Sequence, residues 1–250
     1  MRTAYIIGNG TRSDEQIQYI KERRHESLII AINHAIKEWP DWGFEPHIAG
    51  DLEMEHDHAT CPHWIRLMPF LNYNHKTLKK IMAQKPQHQT EVEKIKRTVR
   101  EHPDLTKFIQ KRFFINEALK YPNVRFYFSH WIEKYVDTHP NLHFLPIIPF
   151  DPNHPGKCAS KGIIKFGDSG NAFTYHALQN EKCNKVILIG MNGFRTEEEA
   201  NLCGFNFKKN NQIQQNNWLK LNKWNYLNGN KPILNASLET KIKCFQKIKI

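Results

Sequence analysis

Residues 162–194 restrict the fold more than any other segment, because a short apolar run that predicts a strand at residues 162–166, a polar turn, a helical stretch and a second apolar run follow one another there. Four residues recur at helical spacing in the middle of this segment: Ala172, Phe173, His176 and Ala177. Residues 186–189 form an unbroken apolar run rich in β-branched side chains, which is typical of a strand buried on both faces. A helix that leads into such a strand is half of an α/β unit, so we predict a mainly parallel sheet.

The N-terminal part repeats this alternation of strands, turns and a helix. Residues 4–7 predict a buried strand, residues 8–11 a glycine-rich turn, and residues 13–14 the cap of a following helix. Two more strands are predicted at residues 28–32 and 46–50, with a turn expected at residues 39–42 between them. This is the start of a βαβ unit, although the glycine-rich turn lacks the G-x-G-x-x-G spacing of dinucleotide-binding folds.

The rest of the chain divides into a basic helical segment and further strands. Residues 56–121 are rich in Lys, Arg, His and Gln, and we expect a helical insertion or lid, or else a solvated helical face without ligand contact. Strands are predicted at residues 124–128 and 233–237, whereas two prolines argue against a central strand in residues 142–150. We therefore predict a single α/β domain over residues 1–250 with one basic helical insertion.

The net charge indicates the class of partner, and the cysteine content indicates the cellular compartment. The formal net charge is +11, which favours an anionic partner: a nucleotide, a phosphate-bearing substrate, a membrane surface or a nucleic acid. The five cysteines are scattered without Cys-x-x-Cys spacing, so we expect a cytoplasmic protein without disulfides or structural zinc. No apolar run approaches the length of a membrane span, but peripheral contact with the inner membrane face fits the charge. The Lys-rich residues 201–250 either fold onto the sheet or form a basic tail.

Two turns that follow predicted strands are candidates for binding a phosphate or a ribose. The first consists of Gly8, Asn9 and Gly10. Its glycines would let a ligand approach the backbone closely, although an ordinary strand–helix turn has the same composition. In the second turn, Ser169 and Gly170 begin the predicted helix, whose N-terminal N–H groups can hold an anion. The alternative is that Asp168 and Ser169 only cap this helix.

Acidic and amide side chains follow other predicted strands. Asp51 and Glu53 point the same way from an extended chain, so they are candidates for holding Mg²⁺ or Mn²⁺ against a nucleotide's phosphates, the alternative being an acidic loop. Asn192 and Arg195 are candidates for binding a sugar hydroxyl and a phosphate, whereas the turn at Asn235 is more typical of a helix cap. Since the turns other than that at Asn235 follow strands of one parallel sheet, we expect them along a single edge.

The order of these features resembles that of the MptE-like domain family and of family 42 bacterial sialyltransferases. The MptE-like family includes 6-hydroxymethylpterin pyrophosphokinase-like proteins and the central domain of the flagellin-modifying Maf proteins. The resemblance rests on short pieces of sequence, at residues 8–11, 30–36, 46–51, 169–170, 188–192 and 235–237. It implies a Rossmann-like fold, with helices on both faces of a mostly parallel sheet. It also implies a CMP-type nucleotide near five residues: Asn9, Asn33, Ser169, Gly170 and Asn235.

The same resemblance implies a nucleotide-sugar-dependent glycosyltransferase, similar to a sialyltransferase, that modifies a surface glycan. The sialyltransferases place a catalytic His late in the chain, but no His follows His176 here, so the base would be Asp51 or Asp168. One alternative is a Mg²⁺- and ATP-dependent pyrophosphokinase, and another is a non-catalytic module that binds nucleotide or nucleic acid. The expected partners are a CMP-sugar donor and a glycan acceptor, with nucleic acid less favoured.

Overall fold

The computed structural model describes residues 2–33, 35–52, 115–129, 133, 136–145, 147–149, 163–165, 168–191, 207–240 and 242–250. The predictions for Glu53, Asn192 and Arg195, and for most of the insertion at residues 56–121, lie outside these residues. The described elements follow one another in this order: β1 (Thr3–Ile7), α1 (Asp14–Glu22), β2 (Ser27–Ile32), α2 (Ala35–Trp42), β3 (Ile48–Asp51), α3 (Ile115–Ala118), β4 (Arg125–Ser129), β5 (Leu142–Leu145), β6 (Ile147–Pro149), β7 (Ile163–Lys165), α4 (Ser169–Gln179), β8 (Lys185–Ile189), α5 (Phe207–Leu227), β9 (Ile233–Asn235) and β10 (Gln246–Lys247).

Eight of these strands form one sheet, in which all neighbouring strands are parallel. The strand order is β10-β9-β8-β1-β2-β3-β4-β5. The chain builds outward from β1 to β5 on one side and later returns to place β8 on the other side of β1. The strand order therefore reverses between β1 and β8, which is where open α/β sheets bind their ligands.

The strands bury their side chains in two apolar cores, one on each face of the sheet. Ile7 of β1 packs in a core that contains Ile20 of α1 and Trp39 of α2. Its neighbour Ile6 packs in the other core, together with Phe173 of α4 and side chains of α5. This alternation follows from the two-residue period of a strand. The predicted fold class is confirmed: the protein has an α/β, Rossmann-like fold with helices on both faces of a parallel sheet.

The turn predicted at residues 39–42 is wrong, because these residues end helix α2. Pro40 lies inside the helix, although its ring nitrogen cannot donate the usual helical hydrogen bond. The apolar side chains of α2 nevertheless form one buried face: Ala35, Ile36, Trp39 and Trp42. Burial of two tryptophans on this face outweighs the hydrogen bond that the proline removes.

The strand predicted at residues 162–166 exists as β7, but it lies outside the main sheet. Among the described strands its partner is β6, with which it forms a separate two-stranded parallel sheet. The expectation that a strand of the main sheet leads into the turn at Asp168 is therefore wrong. The N-terminus of α4 still reaches the carboxyl end of β3, since Ser169 contacts Asp51 there.

The described part of the Lys-rich C-terminal segment, residues 207–240 and 242–250, folds onto the sheet. Helix α5 buries Trp218, Leu221 and Trp224 in the core that α4 shares, and β9 and β10 extend the sheet beyond β8. The rings of Trp218 and Phe245 meet edge to face, with centroids 5.7 Å apart. No helix in the described part of the chain has both the length and the apolar character that crossing a bilayer requires.

Candidate functional site

The carboxyl ends of β1, β2 and β3 bring three predicted site residues side by side. The register of β2 and β3, continued one residue past β2, places Asn33 beside Asp51, and Asn9 follows β1, the other neighbour of β2. The backbone confirms the alignment of Asn33 with Asp51, because the N–H of Asn33 donates to the carbonyl oxygen of Gly50 at 3.0 Å. Two amides and one carboxylate thus follow three adjacent strands next to the switch point.

Asn33 has hydrogen-bonding capacity that the fold does not use. Its backbone is left-handed, with φ of +56°, a conformation that asparagine adopts more readily than most residues. Its side-chain oxygen Oδ1 is buried and has no hydrogen-bond partner among the residues that the structure describes. A buried polar atom without a partner costs about 1–3 kcal/mol, so a donor group of a ligand would be stabilised here. This makes Asn33 the strongest ligand-binding candidate of the predicted set.

The glycine turn after β1 is joined to the end of β8 by backbone hydrogen bonds. The N–H of Gly8 donates to Ile189 O at 2.8 Å, and the N–H of Gly10 donates to Gly190 O at 2.7 Å. A Cβ added at Gly8 would lie 2.8 Å from Gly190 O, so the close approach of the two loops explains this glycine. The N–H groups of both glycines in this turn, which was predicted to let a phosphate or ribose approach closely, are thus used within the fold.

Arg12 forms hydrogen bonds with the same turn, a role that was not predicted for this residue. Its guanidinium donates to the carbonyl oxygens of Gly8 and of Gly10, the latter at 3.1 Å. It also forms an ion pair with Glu38 and lies 5.4 Å from the ring centroid of Trp42, both residues of α2. Glu38 and Trp42 belong to a helix whose last residues were predicted as a turn. For this reason no pattern near Arg12 predicted these contacts.

Asp51 and Ser169 connect β3 to α4 in a buried contact. Asp51 is 0 % exposed and Ser169 is 4 % exposed. The Ser169 hydroxyl donates to Oδ1 of Asp51 at 3.0 Å and accepts the N–H of Leu52 at 3.1 Å. The serine predicted to bind phosphate is thus occupied by the fold, and the predicted base Asp51 lies in the protein interior.

The turn at Asp168 is a capping box, as the alternative interpretation predicted. Oδ1 of Asp168 accepts the N–H of Asn171 at 3.0 Å, and Oδ1 of Asn171 accepts the N–H of Asp168 at 2.9 Å. A Cβ added at Gly170 would lie 3.0 Å from Cζ2 of Trp218. Packing against α5 therefore explains this glycine. Asp168 is only partly buried and so is more accessible than Asp51.

Met191, which the sequence analysis did not single out, lies between the two predicted glycine turns. Its sulfur would be 3.0 Å from a Cβ at Gly8 and 3.3 Å from a Cβ at Gly170. Its N–H donates to the Ser237 hydroxyl at 2.9 Å, and its carbonyl oxygen accepts from Thr240 at 3.2 Å. The side chain of Met191 therefore lies between the turn after β1 and the turn before α4.

The side chain of Asn235 forms hydrogen bonds within the turn that follows β9. Its Oδ1 accepts the N–H of Ser237 at 3.1 Å, and its Nδ2 donates to Thr240 Oγ1 at 3.0 Å. Asn235 is 0 % exposed. This is an asparagine turn that the chain itself satisfies, so the site that we propose does not include Asn235.

The structure gives limited support for a metal at this edge. Among the described residues, no group of three or more His, Cys, Asp or Glu side chains is arranged to hold a metal ion. Of the two residues predicted to hold Mg²⁺ or Mn²⁺, the structure describes Asp51, whose Oδ1 accepts a hydrogen bond from Ser169. The metal site therefore stays a prediction that rests on Asp51 and Glu53.

We compared the chain with known proteins at the levels of family, sequence and structure. No family model, curated protein or solved structure matches it. The resemblance to the MptE-like family and to family 42 sialyltransferases thus remains a hypothesis based on short motifs. The functional proposal below rests on the residues at the carboxyl ends of the strands.

Proposed function

We propose that this protein is a nucleotide-sugar-dependent glycosyltransferase that binds its nucleotide at the carboxyl edge of the sheet, beside the switch point. The observation that carries the proposal is the buried Oδ1 of Asn33, just after β2, which has no hydrogen-bond partner within the described part of the chain. An amide oxygen accepts hydrogen bonds, so it suits a ribose hydroxyl or the exocyclic amine of cytosine. The net charge of +11 favours an anionic ligand such as a nucleotide.

The nucleotide would lie across the ends of β1 and β2, with Asn9 and Asn33 adjacent. Arg12 supports this placement indirectly, because its guanidinium donates hydrogen bonds to the carbonyl oxygens of Gly8 and Gly10 and so offsets their negative partial charge. Carbonyl oxygens without such a donor would repel a nearby phosphate. In the transfer step, a carboxylate must deprotonate the acceptor hydroxyl. Of the two predicted bases, Asp168 fits this role better, since Asp51 is 0 % exposed.

A non-catalytic nucleotide-binding module is the second candidate, and one observation favours it. Both predicted bases accept hydrogen bonds from the fold: Asp51 from Ser169, and Asp168 from the backbone of Asn171. Carboxylates used in this way stabilise the structure without any catalytic task. Binding and turnover must therefore be measured separately.

The binding test compares melting temperatures with CMP, CDP, UDP, ATP and a short oligonucleotide, each with and without Mg²⁺. A ligand that binds only the folded state raises the melting temperature. We expect CMP to do so without Mg²⁺. The variant Asn33→Gly should lose this shift, because glycine keeps the positive φ and removes only the amide. Asn230→Gly is the matched control, since Asn230 also has a positive φ (+46°) but lies exposed after α5.

The outcomes separate the candidate functions. Loss of the CMP shift in Asn33→Gly but not in Asn230→Gly supports the proposed site. A shift with ATP that requires Mg²⁺ would instead indicate the pyrophosphokinase. A shift with the oligonucleotide alone, abolished by salt, would indicate a nucleic-acid-binding protein. If CMP binds but CMP-sugar is not consumed with any glycan acceptor, the module is non-catalytic.

A further inference from the structure

The outer face of α5 exposes large apolar side chains next to lysines. Tyr226 is 70 % exposed, Leu227 58 % and Leu219 52 %. Lys220 and Lys223 lie between them on the same face, and both are exposed. On a helix these positions follow one another at intervals of three or four residues, so they form one continuous stripe. Two neutral polar residues, Gln212 and Asn216, continue the stripe toward the N-terminus of α5.

The stripe is not a misplaced part of the core. The opposite side of α5 is already buried, with Trp218, Leu221 and Trp224 each at most 3 % exposed. The orientation of the helix is therefore fixed by two tryptophans and a leucine. Exposed apolar side chains on a helix with a complete core face indicate a surface that contacts another molecule.

The helix that carries the stripe is basic. Helix α5 contains no Asp or Glu. Lys243 comes after α5 in the sequence and lies next to it in space. Its N–H lies 3.4 Å from Oε1 of Gln215, and its side chain is exposed. Residues 201–250 contain nine lysines and a single acidic residue, Glu239. A partner of this face must therefore be anionic and must also accept apolar side chains.

We propose that the outer face of α5 docks on an anionic lipid bilayer. Leu219, Tyr226 and Leu227 enter the boundary between head groups and acyl chains, while the lysines contact lipid phosphates, as on interfacial helices. Charge argues against a second copy of this chain, because two Lys-rich faces repel each other. A nucleic acid would pair with the lysines but would leave the two leucines without an apolar partner.

The position of the docking face leaves the candidate nucleotide site accessible. The loop after α5 lies at the amino ends of the strands, because Pro232 O accepts the N–H of Val186 at the start of β8. Lys231 in this loop donates to Leu178 O near the end of α4. The exposed end of α5 is therefore at the edge of the sheet opposite Asn33. Membrane docking and nucleotide binding can be tested independently.

The test is co-sedimentation of the full chain with vesicles of phosphatidylcholine alone or mixed with phosphatidylglycerol. We expect binding only to the mixed vesicles, and weaker binding as salt is raised. Replacing two lysines, Lys220→Gln with Lys223→Gln, should lower the partition coefficient about thirtyfold. Leu219→Gln with Leu227→Gln should lower it by at least about tenfold.

The control is a double variant of an exposed leucine–lysine pair elsewhere, Leu119→Gln with Lys120→Gln, next to α3. It should bind as the unaltered protein does. Equal binding to both vesicle types, or equal losses in the control and in the α5 variants, would overturn the proposal. Oligonucleotide binding that needs Lys220 and Lys223 but not the leucines, without vesicle binding, would overturn it in favour of a nucleic-acid surface.

Discussion

The hydroxyl of Ser169 donates a hydrogen bond to Oδ1 of Asp51 at 3.0 Å, between residues that are 118 positions apart in sequence. The same hydroxyl accepts the N–H of Leu52 at 3.1 Å. One side chain thus satisfies a buried carboxylate and a backbone donor, and it ties the first turn of α4 to the end of β3. The candidate site depends on this contact, since it sets where α4 begins relative to the strand ends.

We predict that Ser169→Ala destabilises the protein by about 1–3 kcal/mol, because it leaves the Asp51 carboxylate and the Leu52 N–H each without this buried partner. Urea unfolding measures the loss. Ser13→Ala, which removes the cap of α1 (Ser13 accepts the N–H of Gln16), should cost only about 1 kcal/mol. A loss for Ser169→Ala that is no larger than the loss for Ser13→Ala would show that the buried contact with Asp51 contributes no more than a helix cap.

Gly190→Ala should destabilise the protein by about 2–5 kcal/mol, because a Cβ there is strained and collides with backbone. Gly190 has φ of +64°, and its added Cβ would lie 2.9 Å from Gly10 O and 3.0 Å from Gly8 O. Gly43 is the matched control, with φ of +70° and only the flexible end of Lys21 nearby. Gly43→Ala should cost only about 1–2 kcal/mol. Similar unfolding free energies for both variants would mean that the two loops separate easily.

Arg12→Lys should weaken nucleotide binding and lower the unfolding free energy by about 1–3 kcal/mol, because lysine cannot reproduce the forked contacts of a guanidinium. The measurements are CMP titration calorimetry and urea unfolding. Arg23 provides the control, since it also donates to a backbone oxygen, of Tyr19, and stacks on that ring at 3.7 Å. It caps the far end of α1, so Arg23→Lys should leave CMP affinity unchanged. Equal affinities for both variants would contradict the bracing role of Arg12.

Stability should fall between about pH 5 and pH 2 as Glu181 is protonated. The pKa of Glu181 is lowered from 4.5 to about 2, first by His176, whose Nε2 lies 3.4 Å from Oε1 of Glu181, and then by Arg125, against the effect of burial. Arg125 holds both carboxylate oxygens, at 2.8 and 3.1 Å. Because the pKa in the folded state is the lower one, the stabilisation is complete above pH 4.5 and is lost as the pH falls toward 2.

The loss from Glu181 should be at most about 3 kcal/mol. Unfolding in urea at several pH values measures it, and Glu181→Gln should flatten the profile in this range. Glu22→Gln is the control, because Glu22 is an exposed carboxylate 3.5 Å from Arg23 and such pairs contribute little. A Glu181→Gln profile as steep as that of the unaltered protein would rule out Glu181 as the source.

Much of the fold could be predicted because its signals are local. The runs at residues 4–7, 28–32 and 186–189 nearly coincide with β1, β2 and β8, since a strand buried on both faces requires a continuous apolar sequence. The capping of α4 by Asp168 was predicted as one of two alternatives, because a cap involves only residues within one helical turn. The left-handed backbone of Asn33 was not predicted, although asparagine at a strand end is compatible with it.

The errors arose where burial outweighed a local preference. Pro40 predicted a turn, but the buried tryptophans at positions 39 and 42 keep α2 helical. Residues 162–166 predicted a strand of the main sheet, but β7 pairs with β6 instead. In both cases the local pattern could not show which other elements of the fold were available to pack against the segment.

Local sequence accounts for the central strands, the caps and the parallel character of the sheet, because these depend on neighbouring residues and on the period of apolar side chains. Tertiary packing settled how the edge is used. It occupied the hydroxyl of Ser169, engaged the N–H groups of Gly8 and Gly10, and left Oδ1 of Asn33 without a partner among the described residues. Such contacts join loops that are distant in sequence, so they follow from packing the whole chain and not from any local pattern.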